Sequence, residues 1–221
     1  MQEHTNKWME LLSATDRQDK MTDKQIKIVE AAIEVFSEKG YAGSSTSEIA
    51  SRAGVAEGTI FRHYKTKKDL LMSIVLPMML HTMGPLFAKE FAKVIKTTYG
   101  SIEDFLRSVI RDRLNFVRHN LPIIKILIQE IPFHDDLRST FKDIVREHII
   151  HHMVKVIEHY RQQGIIIDMP TESTIRFIIS SGIGLLVSML LIVPELDWDE
   201  EAEIERTVQM VLYGISAEKN K

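Results

Sequence analysis

The sequence predicts an all-α protein with a small three-helix head and a larger helical body. Three observations predict it. Apolar residues recur at helical spacing along nearly the whole chain, no alternating period-2 run of useful length occurs, and glycines and prolines fall where helices must stop. With 221 residues, 44% of them hydrophobic and 27% charged, the chain is long enough for one or two domains with a buried core.

Residues 1–20 are polar, with an amphipathic turn around Trp8, Met9, Leu11 and Leu12, and are expected to carry no chemistry. They lack the apolar run of a signal peptide. In KQIKIVEAAIEVFSEKGY, Ile26, Val29, Ile33 and Phe36 share one helical face. Gly40 stands where a C-terminal glycine belongs, just after Lys39. In GSSTSEIASRAG, Ser45 and Glu48 form a capping-box pair, and Ile49, Ala50 and Ala53 make the buried side of a very short helix. Gly54 ends that helix, and a third begins at Ala56 or Glu57 and stops near Tyr64. None of the three is long enough to be stable alone, so residues 22–64 must pack as a unit. Two short helices joined by a glycine turn make a helix-turn-helix. The expected boundaries are an extension at 1–20, a head at 21–66 and a body at 67–221.

The body reads as helices at 67–97, 102–119, 121–131, 135–163, 171–193 and 199–216. Pro77 and Gly84-Pro85 interrupt the first. Gly164, Pro170 and Pro194-Glu195 punctuate the later ones. Residues 177–194 carry no charge over 18 positions, at the lower edge of a membrane-spanning length. Serines, glycines and the acidic flank PELDWDEEAE favour a helix buried between other helices.

Formal charge is −3, so affinity for a polyanion must come from a local patch. There is no cysteine, which removes disulfides, thiolate metal sites and thiol catalysis. Arg52, Arg62, Lys65, Lys67 and Lys68 cluster with one acid, Glu57, giving +4 locally and −7 elsewhere. The lysines open a helix, where the macrodipole disfavours cations and welcomes anions. Free amides beside lysines suit a phosphate. The cluster follows the second helix of the helix-turn-helix, the element that enters a major groove.

The run TSEIASRAGVAEGTIFRHYKTKKDL resembles the DNA-binding signature of the tetracycline-repressor (TetR) family, over about residues 24–71. The resemblance implies a head that binds double-stranded DNA at a palindromic operator and a body that binds a small effector and dimerises. It implies phosphate contacts from Thr46 and Ser47, base-edge contacts from Glu57, Gly58 and Thr59, and a phosphate-binding role for Lys67. Phe61, Arg62, His63 and Tyr64 complete the expected interface. Phe61 stands where the family usually has tyrosine, and its expected role is packing or a thymine-methyl contact. Ala56 replaces the commoner serine cap. Glu57 can accept from a cytosine amino group but repels phosphate.

Ser180, Gly184 and Ser188 recur at four-residue intervals, a spacing that lets helices approach closely. Ile204, Val208, Val211 and Ile215 form a second stripe. Together with the resemblance, they predict a homodimer through residues 171–216, although packing within one chain explains the same stripes. Effector-lining candidates are Met83, Phe116, Leu127, Phe141, His148, Phe177 and Ser181. His148 and His152 share a helical face at a zinc-suited spacing. No Glu-x-x-His motif and no third ligand accompany them, so no metal and no cofactor are expected. No nucleophile motif or phosphate-cradling glycine loop is present, and no enzyme is expected. The expected function is a cytoplasmic regulator, a repressor released from DNA by a small hydrophobic ligand, with no membrane association. The alternatives are a membrane-anchored helical protein and a helical small-molecule or metal sensor without DNA binding.

Overall fold

The structure, a computed structural model, describes residues 21–80 and 101–215. The extension at 1–20, the Gly84-Pro85 break, Met83, and the side chains of His148 and Ile215 lie outside the described set. The α-helices are α1 Asp23–Gly43, α2 Thr46–Ala53, α3 Glu57–His63, α4 Lys67–Met78, α5 Ile102–His119, α6 Leu121–Glu130, α7 Asp135–Ile144, α8 His151–Gln162, α9 Thr171–Val187 and α10 Glu200–Ile215. Short π-helical segments follow α7 (Val145–Ile150) and α9 (Ser188–Ile192), where the periodicity predicts one unbroken helix.

Contacts divide the described chain into two compact units. One contains residues 21–80 with Asn120–Ile144; the other contains 101–119 with 145–215. The first unit buries Ile28, Val29, Ala32, Val35 and Phe36 of α1 with Ile49 and Ala53 of α2, Ile60 of α3, Leu70, Leu71, Ile74 and Val75 of α4, and Ile123, Ile126 and Leu127 of α6. This packing joins α6 and α7 to the three-helix head, a grouping that the expected break at residue 66 does not contain.

Local chemistry explains the helix starts. Thr22 and Gln25 form a reciprocal capping box on α1, and Thr66 and Asp69 form another on α4. Ser45 Oγ accepts from Glu48 N–H at 3.2 Å, while the Glu48 carboxylate turns to Lys39 at 2.6 Å. Gly40 kinks α1 with φ 71° and ψ 166°, a conformation nearly restricted to glycine. A Cβ there would also sit 3.3 Å from Gln129 Oε1. Gly40→Ala is therefore expected to destabilise the first unit by about 1–3 kcal/mol, measured by urea unfolding.

In the second unit, α5, α8, α9 and α10 enclose Phe105, Leu106, Leu114, Met153, Ile157, Ile175, Ile204, Val208 and Val211. The stripe Ile204, Val208, Val211 thus packs inside its own unit, which corrects its expected place on a subunit interface. An ion-pair seam joins α5 to α10: Arg107 with Glu205, Arg111 with Glu201, and Arg118 with Glu200. Hydrogen bonding to Arg111 holds the Glu201 carboxyl below the usual carboxylate range. Bonds from Gln209 and Arg107 do the same for Glu205.

A second correction concerns the apolar helix. The sequence predicts that residues 177–194 form a helix buried between other helices, yet in the observed helical span Thr171–Ile192 only 11% of the most apolar stretch is buried. Thr174, Ile175 and Met189 face the core, and Phe177, Ile183 and Ile192 are exposed.

Candidate nucleic-acid interface

The α2–α3 turn is built by its glycine. Gly54 adopts φ 66° and ψ 35°, Val55 N–H donates to Ala50 O at 3.0 Å, and Gly54 N–H donates to Ser51 O at 3.2 Å. That is the Schellman pattern, and it turns the chain sharply into α3. Helix α3 has no side-chain cap at Ala56 and one buried residue, Ile60, at 0% exposure. The rest of α3 faces outward. Glu57, Gly58, Phe61, Arg62 and His63 are exposed and Thr59 is half-buried. Phe61 is 49% exposed, and a Cβ on Gly58 would meet nothing within 4 Å.

The first residues of α2 and α3 meet here. Thr46 Oγ1 donates to Glu57 Oε1 at 2.6 Å, and the hydroxyls of Ser45 and Ser47 lie 3.2 Å apart. Thr46 is half-buried and Ser47 exposed. The His63 and Tyr64 rings lie 6.4 Å apart. Tyr64 is half-buried, and burial pushes its phenol up from the ordinary range, the Ser73 hydroxyl opposing.

The five cations divide into two groups. Arg52 is spent on α1, with Glu38 at 2.9 Å and Glu34 at 3.6 Å. Lys68 pairs with Asp136 at 3.1 Å. Lys67 turns back from the positive start of α4 to the carbonyl end of α1. Its Nζ donates to Tyr41 O at 2.7 Å and Ser44 O at 2.8 Å, and lies 4.3 Å from the centre of the Tyr41 ring. The macrodipole explains this: a cation is disfavoured at one helix start and favoured at another helix end. Two of the three ammonium protons are thereby used. Arg62 and Lys65 are exposed and form no ion pair among the described residues. Of the five, these two are wholly uncommitted among the described residues.

Sequence reasoning missed the residues behind the α1–α2 turn. Glu130 is a buried carboxylate, 7% exposed, whose Oε1 accepts from Tyr41 N–H at 3.2 Å. His134 Nε2 lies 3.2 Å from Glu130 Oε2. The His134 ring meets the Tyr41 ring edge-on at 5.3 Å. A partner 89 residues away leaves no local signal.

The effector candidates distribute between the units. Leu127 is core and Phe141 half-buried in the first. In the second, Phe116 is half-buried, with the Arg113 guanidinium 5.2 Å from its ring. There too, Phe177 is exposed and Ser181 Oγ donates to Phe177 O at 2.9 Å. An open groove on α10, lined by Ala202, Glu205, Arg206, Gln209, Met210 and Tyr213, involves none of these residues.

Residues 28–74 match the model of the family described as bacterial regulatory proteins, tetR family. The fatty acid metabolism regulator protein of Bacillus subtilis is 49% identical over 51 residues, 23% of this chain and 26% of that protein. An HTH-type transcriptional repressor of Mycobacterium tuberculosis, Rv3405c, is 35% identical over 81 residues, 33% of this chain and 43% of that protein. The chain thus spans less than two thirds of the length of these curated relatives. Among solved structures, the regulator FadR of Bacillus subtilis in complex with stearoyl-CoA aligns with a TM-score of 0.61 at 25% identity, over 86% of this chain and 98% of that one. The fatty acid degradation regulator FadR of Bacillus halodurans shares the fold, with a TM-score of 0.64 at 20% identity over 89% and 98%.

Proposed function

The chain belongs to the tetR family of bacterial regulatory proteins through residues 28–74, and from that premise we propose that it is a cytoplasmic, homodimeric repressor that leaves a palindromic operator when a small hydrophobic effector binds. The observation that carries the DNA reading is the outward face of α3. A seven-residue helix is held by one buried isoleucine while Glu57, Gly58, Phe61, Arg62 and His63 remain open to solvent. Thr59 flanks that face. Thr46 and Ser47 open α2 beside it, Tyr64 caps its far end, and Lys67 holds the α1–α2 turn. Glu57, Gly58 and Thr59 read base edges, and Arg62 with Lys65 contacts phosphate. Lys67 sets the α1–α2 turn with two protons and has one left for a phosphate.

Gly58 supports the same reading. A glycine inside an exposed helix costs roughly 0.5–1 kcal/mol relative to alanine. No neighbour fills the space that a Cβ would take. Close approach of a partner explains a glycine that packing does not. Gly58→Ala is expected to raise stability by that amount while weakening operator binding. Thermal unfolding and an operator titration on the same sample check it.

The test of the function is a salt titration on fragments selected from genomic DNA. Log affinity falls linearly with log salt for the wild-type chain, and Arg62→Ala makes the slope shallower by roughly 0.9 for each phosphate that the arginine neutralises. Substitution of Thr59 changes which sequence is preferred. Affinity indifferent to salt would count against the proposal.

The effector acts through a two-state equilibrium and must bind the released state more tightly. A long-chain acyl-CoA is the first ligand to test, because FadR of Bacillus subtilis, 25% identical, is described in complex with stearoyl-CoA. Phe116, Phe177 and Ser181 are the proposed lining in the second unit. Stearoyl-CoA added to a preformed DNA complex should release the DNA.

The dimer reading rests on the face that α9 and α10 leave open. Ile183, Met210 and Tyr213 are exposed on it, and a Cβ at Gly184 would meet nothing within 4 Å. An open apolar face of this kind marks an interaction surface. Two heads so joined would reach half-sites about 34 Å apart. The same exposed span, Thr171–Ile192, is long and apolar enough to cross a membrane. Cell fractionation separates the two readings: the repressor is recovered in the soluble fraction.

A further inference from the structure

The kink at Gly40 removes the Tyr41 amide from the helical ladder of α1. A buried N–H needs an acceptor. Glu130, at the last position of α6, supplies one at 3.2 Å, although its own carboxylate is buried. Burying a carboxylate is costly unless it is hydrogen-bonded. Here the Tyr41 amide and His134 are its partners. The other polar groups of the turn are held as well. Lys67 binds the carbonyls of Tyr41 and Ser44, and Ser44 Oγ donates to Tyr41 O at 2.7 Å. Two residues on from Ser44, Thr46 opens α2 and meets Glu57 at the start of α3. A short chain of contacts therefore runs from Glu130 through Tyr41 to the first residues of the DNA-facing helices.

The segment that brings Glu130 is Asn120–Ile144, and the chain enters it from and leaves it into residues of the second unit. It touches the head at a further point, where Asp136 pairs with Lys68 of α4. We propose that Glu130 is the positioning residue that couples Asn120–Ile144 to the DNA-reading head: its carboxylate holds the α1–α2 turn in the DNA-competent geometry, and loss of that hold weakens operator binding. The proposal rests on the DNA reading above and adds the route by which the rest of the chain acts on it. Glu130 touches no DNA.

Hydrogen exchange on the full-length protein, with and without a selected operator fragment, tests the coupling. Coupling free energy is reciprocal. Operator binding to the wild-type chain should therefore slow exchange in residues 121–134, which carry no DNA-facing side chain. Glu130→Leu leaves the Tyr41 amide without its acceptor. Exchange at residues 40–45 should rise roughly tenfold, operator affinity should fall by a similar factor, and the operator-induced protection of 121–134 should vanish. The salt slope and base preference should not change, because no DNA contact is removed. Glu130→Gln keeps an acceptor without the charge and should fall between, at roughly threefold; it stands in if the leucine variant does not fold. A wild-type chain that binds operator while 121–134 does not respond overturns the coupling, and so does Glu130→Leu with unchanged exchange at 40–45. A wild-type chain that binds no DNA fragment overturns instead the function on which the coupling rests.

Discussion

Ile60→Ala is expected to destabilise the head by about 2–5 kcal/mol and to abolish operator binding, although no side chain of the proposed DNA face changes. Helix α3 is seven residues long, far below the length at which a helix is stable by itself. Its cap position, Ala56, makes no side-chain hydrogen bond, and Gly58 lowers its propensity further. Ile60 is its one buried residue, at 0% exposure, and packs among the side chains that α1, α2 and α4 bury. Removing three carbons there leaves a cavity beneath the proposed base-reading helix. The matching control is Phe61→Ala one residue on. Phe61 is 49% exposed, so its loss should cost well under the Ile60 figure while still altering DNA binding. Urea unfolding and an operator titration separate the two substitutions. Equal stability for Ile60→Ala and the wild-type chain would show that α3 is anchored by something else.

Periodicity and punctuation made the helices legible. Gly54 and Ser45 act as local chemistry requires, and Gly40 has the positive φ expected of it, because each device works within a few residues of chain. Thr66 looks in sequence like part of a break, yet it caps α4 with Asp69 three residues on, the same local spacing that marks Ser45 and Glu48, so this start was legible by the same rule. The basic cluster was legible as composition and not as geometry. Arg52 and Lys67 look in sequence like Arg62 and Lys65, but helix α1 supplies Glu38 to one and two carbonyls to the other. The stripe Ile204, Val208, Val211 was legible as a stripe. Which surface it meets depends on α5, far earlier in the chain, whose arginines also pair with the acids of α10. Glu130 was not legible at all, because a lone glutamate ending an apolar helix usually faces water.

The proposed dimer makes the second large prediction. Ile183→Asp is expected to convert the protein to a monomer and to lower operator affinity by at least about a hundredfold. Ile183 is 53% exposed in the single chain, on the same face of α9 as Ser180 and Gly184. Met210 and Tyr213 on α10, at 70% and 71% exposure, extend the open surface. The two helices already pack together within the chain. A Cβ on Gly214 would lie 3.1 Å from the Phe177 ring, so that small residue lets them approach. In a two-fold interface the same patch serves both subunits, so one substitution enters twice. Two carboxylates in a desolvated surface lose their hydration without gaining a partner, a cost of several kcal/mol for the pair. A monomer then reads one half-site and forfeits the gain in effective concentration that the second head provides. Because Ile183 is exposed in the monomer, the head should unfold at its wild-type temperature and keep its base preference. Sedimentation and operator titration give both numbers. A variant that remains dimeric with wild-type affinity would move the subunit contact off this face.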